Sequence, residues 1–176
     1  TAPVITLKGE AEITIEAGST FTDPGTTITD NVDTDLTVVT AGSVDAGRLG
    51  LYVLAYNVTD KSDNKAVEIT RKVTVVDTTA PVITLTGDAA ITHEGGTAYT
   101  DAGSTVTDNL DADLMAVVTG TIDIVKLGEQ TLTFDATDST GNKATSVTRK
   151  VTVVDTTVPV ITLLGEAEVS IDESGV

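Results

Sequence analysis

Apolar and polar residues alternate in short runs along most of the chain, and turn residues break each run after four to eleven positions. A period of two places successive side chains on opposite faces of a strand. Val4–Leu7, Glu12–Glu16, Thr26–Thr29, Leu36–Thr40, Gly50–Thr59 and Ala66–Val76 therefore read as strands. Gly18 ends the second run, and Asp/Asn-rich loops separate the later ones. The same signals return around Ile91 and Val106, then in Leu114–Val118, Gln130–Thr137 and Thr145–Val154. No stretch sustains a 3.6-residue period, so no helix of useful length is expected. Six or seven strands per 78 residues, with turns every ~8–12 residues, predict a two-sheet sandwich.

An internal repeat sets the organisation. Thr1-Ala2-Pro3-Val4-Ile5-Thr6-Leu7 recurs as Thr79-Ala80-Pro81-Val82-Ile83-Thr84-Leu85 and as Thr157-Val158-Pro159-Val160-Ile161-Thr162-Leu163. The period is 78 residues both times, and more than half the positions of the first two copies are identical. A period this long is a whole domain. The units run 1–78 and 79–156, and a third begins at 157 within 157–176. The pattern stops in mid-unit at Ser174-Gly175-Val176, so the sequence reads as an excerpt. The junction Val76-Asp77-Thr78-Thr79-Ala80-Pro81 has no flexible Gly/Ser stretch. Pro81 fixes its own φ and keeps Ala80 extended, which predicts end-to-end units.

Composition narrows the function. Thr and the β-branched aliphatics are abundant, and Trp is absent. The net charge of −17 repels phosphate backbones and anionic lipid, which argues against nucleic acid and membrane partners. No apolar run is long enough to be inserted in a bilayer as a helix. The absence of cysteine removes disulfides and thiolate metal sites, and leaves a bound cation as one possible staple.

The motifs carry a resemblance. Thr-Ala-Pro-Val-Ile-Thr-Leu opens the unit, followed by Glu16-Ala17-Gly18, Phe21-Thr22-Asp23, Gly25 and Asp30-Asn31. Thr59-Asp60, Asn64-Lys65-Ala66 and Val73-Thr74-Val75-Val76-Asp77 close it. The second copy keeps Glu94, Gly96, Asp101, Gly103, Asp108, Asn109, Asp138 and Gly141-Asn142-Lys143-Ala144, and departs from the first at Gly141, where the first has Asp63. This resembles the bacterial immunoglobulin-like tandem repeats related to hyalin repeats and to cadherin-like surface modules. The resemblance implies an all-β array of immunoglobulin-like sandwiches on a cell-surface or secreted protein. Such repeats serve as stalk spacers in adhesins or as accessory modules of secreted enzymes.

The candidate chemistry is acidic. Asp30-Asn31-Val32-Asp33-Thr34-Asp35 is mirrored by Asp108-Asn109-Leu110-Asp111-Ala112-Asp113. Hard oxygens at alternating positions suit Ca²⁺, although the glycine and terminal glutamate of an EF-hand are missing. The same residues also suit an Asx turn that caps backbone amides, and both readings stand. In an immunoglobulin-like sandwich this loop, the loop before the last strand and the incoming linker share one end. That would gather Asp77 with Asp108, Asp111, Asp113 and Asp138 at the first junction. Asp30, Asp33, Asp35 and Asp60 form the set of the first unit, and Asp155 faces a third. The arrangement resembles the junctional calcium sites of cadherins, without the cadherin linker motif.

Other residues read as structural. Glu16, Asp23, Glu94 and Asp101 suit turn caps or bonds to a neighbouring strand, and Asp45 and Asp123 suit turns. His93 lacks catalytic partners, and Arg71-Lys72 with Arg149-Lys150 are expected to pair with acids and blunt an edge. Lys65 and Lys72 both recur in the second copy and are the candidate lysines for an intramolecular isopeptide bond. No nucleophile elbow, phosphate loop or zinc motif is present. The expectation is therefore a non-enzymatic, monomeric extender whose partners are its own neighbouring repeats, with Ca²⁺ as cofactor. A protein or carbohydrate ligand would bind elsewhere in the parent protein. The alternative is an accessory or ligand-binding module of a secreted enzyme, although few aromatics are available to stack on sugars.

Overall fold

The computed structural model describes residues 1–165, 167 and 168. Each 78-residue unit carries six strands. The first has β1 (Val4–Leu7), β2 (Glu12–Glu16), β3 (Thr26–Thr29), β4 (Val39–Ala41), β5 (Gly50–Asn57) and β6 (Ile69–Val76). The second has β7 (Val82–Leu85), β8 (Ala90–Glu94), β9 (Ser104–Thr107), β10 (Val117–Thr119), β11 (Gly128–Asp135) and β12 (Val147–Val154). A two-stranded sheet, β1-β3, accompanies a four-stranded sheet ordered β2-β6-β5-β4. The second unit repeats this as β7-β9 and β8-β12-β11-β10. Pairing is antiparallel except for β2 with β6 and β8 with β12. No helix forms among the described residues, so none is long and apolar enough to cross a membrane.

The alternation seen in the sequence is the burial pattern. Ile5 in β1, Leu54 and Tyr56 in β5, and Val73 and Val75 in β6 point inward. Leu7, Phe21, Ile28, Leu36 and Ile69 pack against this core. Each strand of the second unit has the same inside/outside order as its counterpart. Substitutions between the copies therefore preserve phase even where they change identity.

The run Leu36–Thr40 contributes a shorter strand than expected. Leu36 and Val38 fill the core, whereas ladder pairing starts only at Val39. Side-chain alternation reports burial, and it does not report whether the backbone has a partner. Gly42 follows β4 at φ +93°, where a Cβ would lie 2.3 Å from the Val53 carbonyl oxygen. Gly120 stands in the same relation to Thr131. Only glycine permits these approaches.

The arginines pair with acids, as expected, but from inside the sheet and not from its edge. β6 and β12 are inner strands, so Arg71 and Arg149 guard no edge. Arg71 is fully buried, in phase with Val73 and Val75. Its guanidinium pairs with Asp23, donates to the carbonyls of Lys8, Glu10 and Gly25, and lies 5.9 Å from the Tyr56 ring centre. A buried charge of this kind persists only when its donors are satisfied. Asp23 also accepts the Gly25 amide at 3.1 Å and the Tyr56 hydroxyl at 2.9 Å, so it is both turn cap and counter-ion. Burial, then the bond to Asp23, pushes the Tyr56 hydroxyl up to about 12.

The second unit builds the same centre with its aromatics exchanged. Phe134 replaces Tyr56, and Tyr99 replaces Phe21. The Tyr99 hydroxyl donates to Asp101 at 2.7 Å, while Arg149 binds Asp101 at 2.5 Å and covers Phe134. Each unit thus keeps one phenol for its half-buried carboxylate, delivered from a different element.

The third unit, 157–176, lies partly outside the described residues. Among residues 157–165 no strand forms, and Ile161 is 91% exposed where Ile83 is 7% exposed.

The exchanged aromatics make a prediction. Tyr56→Phe should destabilise the first unit by about 1–2 kcal/mol, because Asp23 loses a donor. Adding Phe21→Tyr should restore most of that in denaturant unfolding, as the second unit already arranges it.

Candidate functional site: the acidic junction between the units

The junction begins where β2 and β6 run parallel, with Glu16 beside Val76. Glu16 reaches past the end of β6 and takes four hydrogen bonds. They come from the Thr78 amide at 2.6 Å and hydroxyl at 2.9 Å, and from the Thr79 amide at 3.0 Å and hydroxyl at 2.8 Å. The Thr78 amide is the largest influence holding the Glu16 carboxyl down at about 2. Glu94 binds Thr156 and Thr157 in the same way, and the Thr156 hydroxyl leads in lowering it to about 2. One carboxylate therefore fixes the direction in which the chain leaves each unit.

That exit delivers Asp77 to the head of the second unit. Asp77, Asp108 and Asp138 each bring a carboxylate oxygen to a common point, all within 4.8 Å of one another. Asp77 and Asp138 are buried. Asp108 Oδ2 accepts the amides of Leu110 at 2.9 Å and Asp111 at 3.0 Å, which closes an Asx turn. Asp108 Oδ1 is buried with no partner. Asp138 Oδ1 accepts the amides of Thr140, Gly141 and Asn142, and Oδ2 accepts the Asn142 side chain at 2.7 Å. Burial acts to raise the Asp138 carboxyl, but these donors outweigh it and hold it below its usual range. Thr140 and Asn142 also donate to Asp77, which ties the linker to the head loop.

Charges this close raise one another's proton affinity unless donors or a cation offset them. An ion bound by oxygens at ~2.3–2.6 Å gathers ligands that lie within about 5 Å of each other. The three oxygens meet that condition, and Asp108 carries in its Oδ1 a buried hard donor with no partner.

Residues 5–75 and 83–153 each match the family described as bacterial surface protein, Ig-like domain. The chain belongs to this family. It is also 32% identical over 178 residues to hyalin of Lytechinus variegatus, covering 93% of this chain and 33% of hyalin. The chain thus spans about a third of that relative. Among solved structures, the lipoprotein BT2262 of Bacteroides thetaiotaomicron is 21% identical, with a TM-score of 0.38, over 78% of this chain and 61% of its own. Drosophila N-cadherin EC1-3 is 13% identical, with a TM-score of 0.35, over 88% and 68%. The fibronectin(III)-like modules of Clostridium thermocellum CbhA are 15% identical, with a TM-score of 0.34, over 92% and 100%.

The other acidic residues of these Ig-like repeats are placed differently. Asp111 accepts the Ser139 amide and hydroxyl at 2.9 and 2.8 Å, and Asp33 accepts the Lys61 amide at 3.2 Å. Both therefore bridge two loops of their own head. Asp35 and Asp113 are exposed, and Asp113 has a positive φ of 63°. Asp60 is buried and capped by Ser62 and Asn64, and the Asn64 side chain leads in lowering its carboxyl. Asp30 caps Val32 and Asp33 through Oδ2, and its Oδ1, like that of Asp108, is buried without a partner. Asp155 is exposed at the far end of the second unit. Asp45 and Asp123 cap the turn amides of Gly47 and Val125, as expected. His93 is half-buried, bonded to Thr97 and edge-on to Tyr99.

Sequence reasoning missed what Glu16, Thr140 and Asn142 do at the junction. The recurrence of Glu16 with Thr78-Thr79, and of Glu94 with Thr156-Thr157, was the available signal. It went unseen because 62 residues separate the glutamate from its first threonine.

The Glu16 tether has a defined pH dependence. Its folded pKa is depressed, so its contribution is full above the ordinary carboxyl value of 4.5 and is lost as pH falls through about 2. The Thr78 and Thr79 amide resonances should titrate with a midpoint near 2. Glu16→Gln should abolish that transition, and a midpoint near 4.5 would disprove the tether.

Proposed function

We propose that these repeats are a non-catalytic extender of a bacterial surface protein, in which a calcium ion at each complete junction sets the stiffness of the array. The observation that carries this reading is the convergence of Asp77, Asp108 and Asp138, of which Asp108 has a buried, unpartnered Oδ1. The donor set suits a hard cation. Asp77, Asp108 and Asp138 would hold the ion, which when bound supplies positive charge to three clustered carboxylates. Asp77 belongs to the linker, while Asp108 and Asp138 belong to the second unit. A shared ligand therefore ties the orientation of one unit to the other. The short proline-bearing linker and the Glu16 tether support the same reading, because they limit rotation before any ion binds. Membership of a surface-protein family supports a role in projecting a distal functional region from the cell.

Thermal unfolding of the chain in EDTA, and then in millimolar Ca²⁺ or Mg²⁺, tests the metal. A ligand at a hundredfold excess over Kd stabilises by roughly 2.7 kcal/mol, which raises Tm by several degrees or more. The rise should occur with Ca²⁺. Asp108→Asn should remove it, while Asp35→Asn should leave it intact. An unchanged Tm would leave the acids as turn caps and solubilising charge.

A further inference from the structure

We propose that the far end of the second unit is a docking face for the Asp-Asn loop of a further repeat of the same kind. The first unit shows what this surface does when it is covered. There the Ala17 carbonyl accepts the Asn109 side-chain amide at 3.0 Å. Gly18 lies so close beneath the loop that a Cβ would stand 2.8 Å from the Asn109 carbonyl oxygen.

Seventy-eight residues later the same framework recurs. Gly18 and Gly96 share a φ of +73°. The Gly18 amide donates to Ala46 at 2.8 Å, and the Gly96 amide to Ile124 at 2.9 Å. Glu94 holds Thr156 and Thr157 as Glu16 holds Thr78 and Thr79. The chain thus leaves both units under the same constraint, and residues 157–163 repeat the opening motif of a unit. The occupant differs. A Cβ on Gly96 would meet nothing within 4 Å, and a depression of about 460 Å³ opens beside it, lined by Gly96, Ile124, Val125, Leu127 and Asp155.

The residues lining it state what it takes. Ala46-Gly47-Arg48-Leu49 of the first unit is replaced by Ile124-Val125-Lys126-Leu127. Val125 is 78% exposed and Leu127 60%, against 39% for Leu49. An apolar rim around a glycine floor gains by being covered. Both head loops present an asparagine followed by an aliphatic residue, Asn31-Val32 and Asn109-Leu110. The asparagine amide matches the Gly95 carbonyl, and the aliphatic residue matches Ile124 and Leu127. Covering this rim should make the second junction drier than the first. This inference rests on the extender reading, and it does not depend on calcium.

The test extends the chain past Thr156 with a second copy of residues 79–156. The protein has no cysteine, so introduced cysteines take spin labels selectively. Labels at Val53→Cys and Thr131→Cys report the first junction. Thr131→Cys and the matching threonine of the added copy report the second. Distances are recorded in EDTA, so failure of the calcium reading leaves the result intact. The second distribution should be as narrow as a docked pair requires. Gly96→Val should broaden it without changing the first. Replacing the asparagine of the added loop with alanine should do the same, and this variant leaves the φ of Gly96 unstrained. A broad second distribution in the parent protein, or a narrow one that neither substitution changes, would overturn the docking face and assign the rim to another partner.

Discussion

A buried guanidinium organises each unit. Arg71 and Arg149 sit where a hydrophobe would complete the inward row of β6 and β12, and their donors reach carbonyls and a carboxylate from separate connections. The segment after β1, the turn before β3 and the central strand all end on this one group. A unit of 78 residues without disulfides has little core to spare. A charge whose partners are fully specified contributes a unique arrangement that a greasy side chain would not demand. Across the exchange of Tyr56 and Phe21 for Phe134 and Tyr99, one hydroxyl still reaches the carboxylate in each unit, from a different element.

The same economy governs the junction. Glu16 converts the end of β6 into a fixed exit by taking every donor that Thr78 and Thr79 offer. The exit places Asp77 against the head of the second unit, where Thr140 and Asn142 hold it. Asn109 reaches back to Ala17 from the opposite direction. Hydrogen bonds thus cross the boundary both ways around a patch of concentrated negative charge. A tandem array built this way sets orientation through short polar contacts that lie beside its clustered carboxylates.

Fold class and strand phase were legible in the sequence because each depends on local or periodic information. Alternation gives the buried face of a strand, and a repeat of 78 residues gives the unit. The sequence also narrowed the candidate site to its acidic loops and linker. Selection within that set depended on distance. Asp77, Asp108 and Asp138 converge, while Asp111 turns to Ser139 and Asp113 faces solvent.

What only the tertiary structure decided is the pairing of groups far apart along the chain. Arg71 reads as a surface cation beside Lys72 until β6 is found between β2 and β5. Glu16 reads as an ordinary strand end until the parallel pairing sets it beside Val76 and the linker. The two contacts span 48 and 62 residues. A polar side chain carries no local mark of its distant partner, whereas an apolar one declares its burial through its period alone.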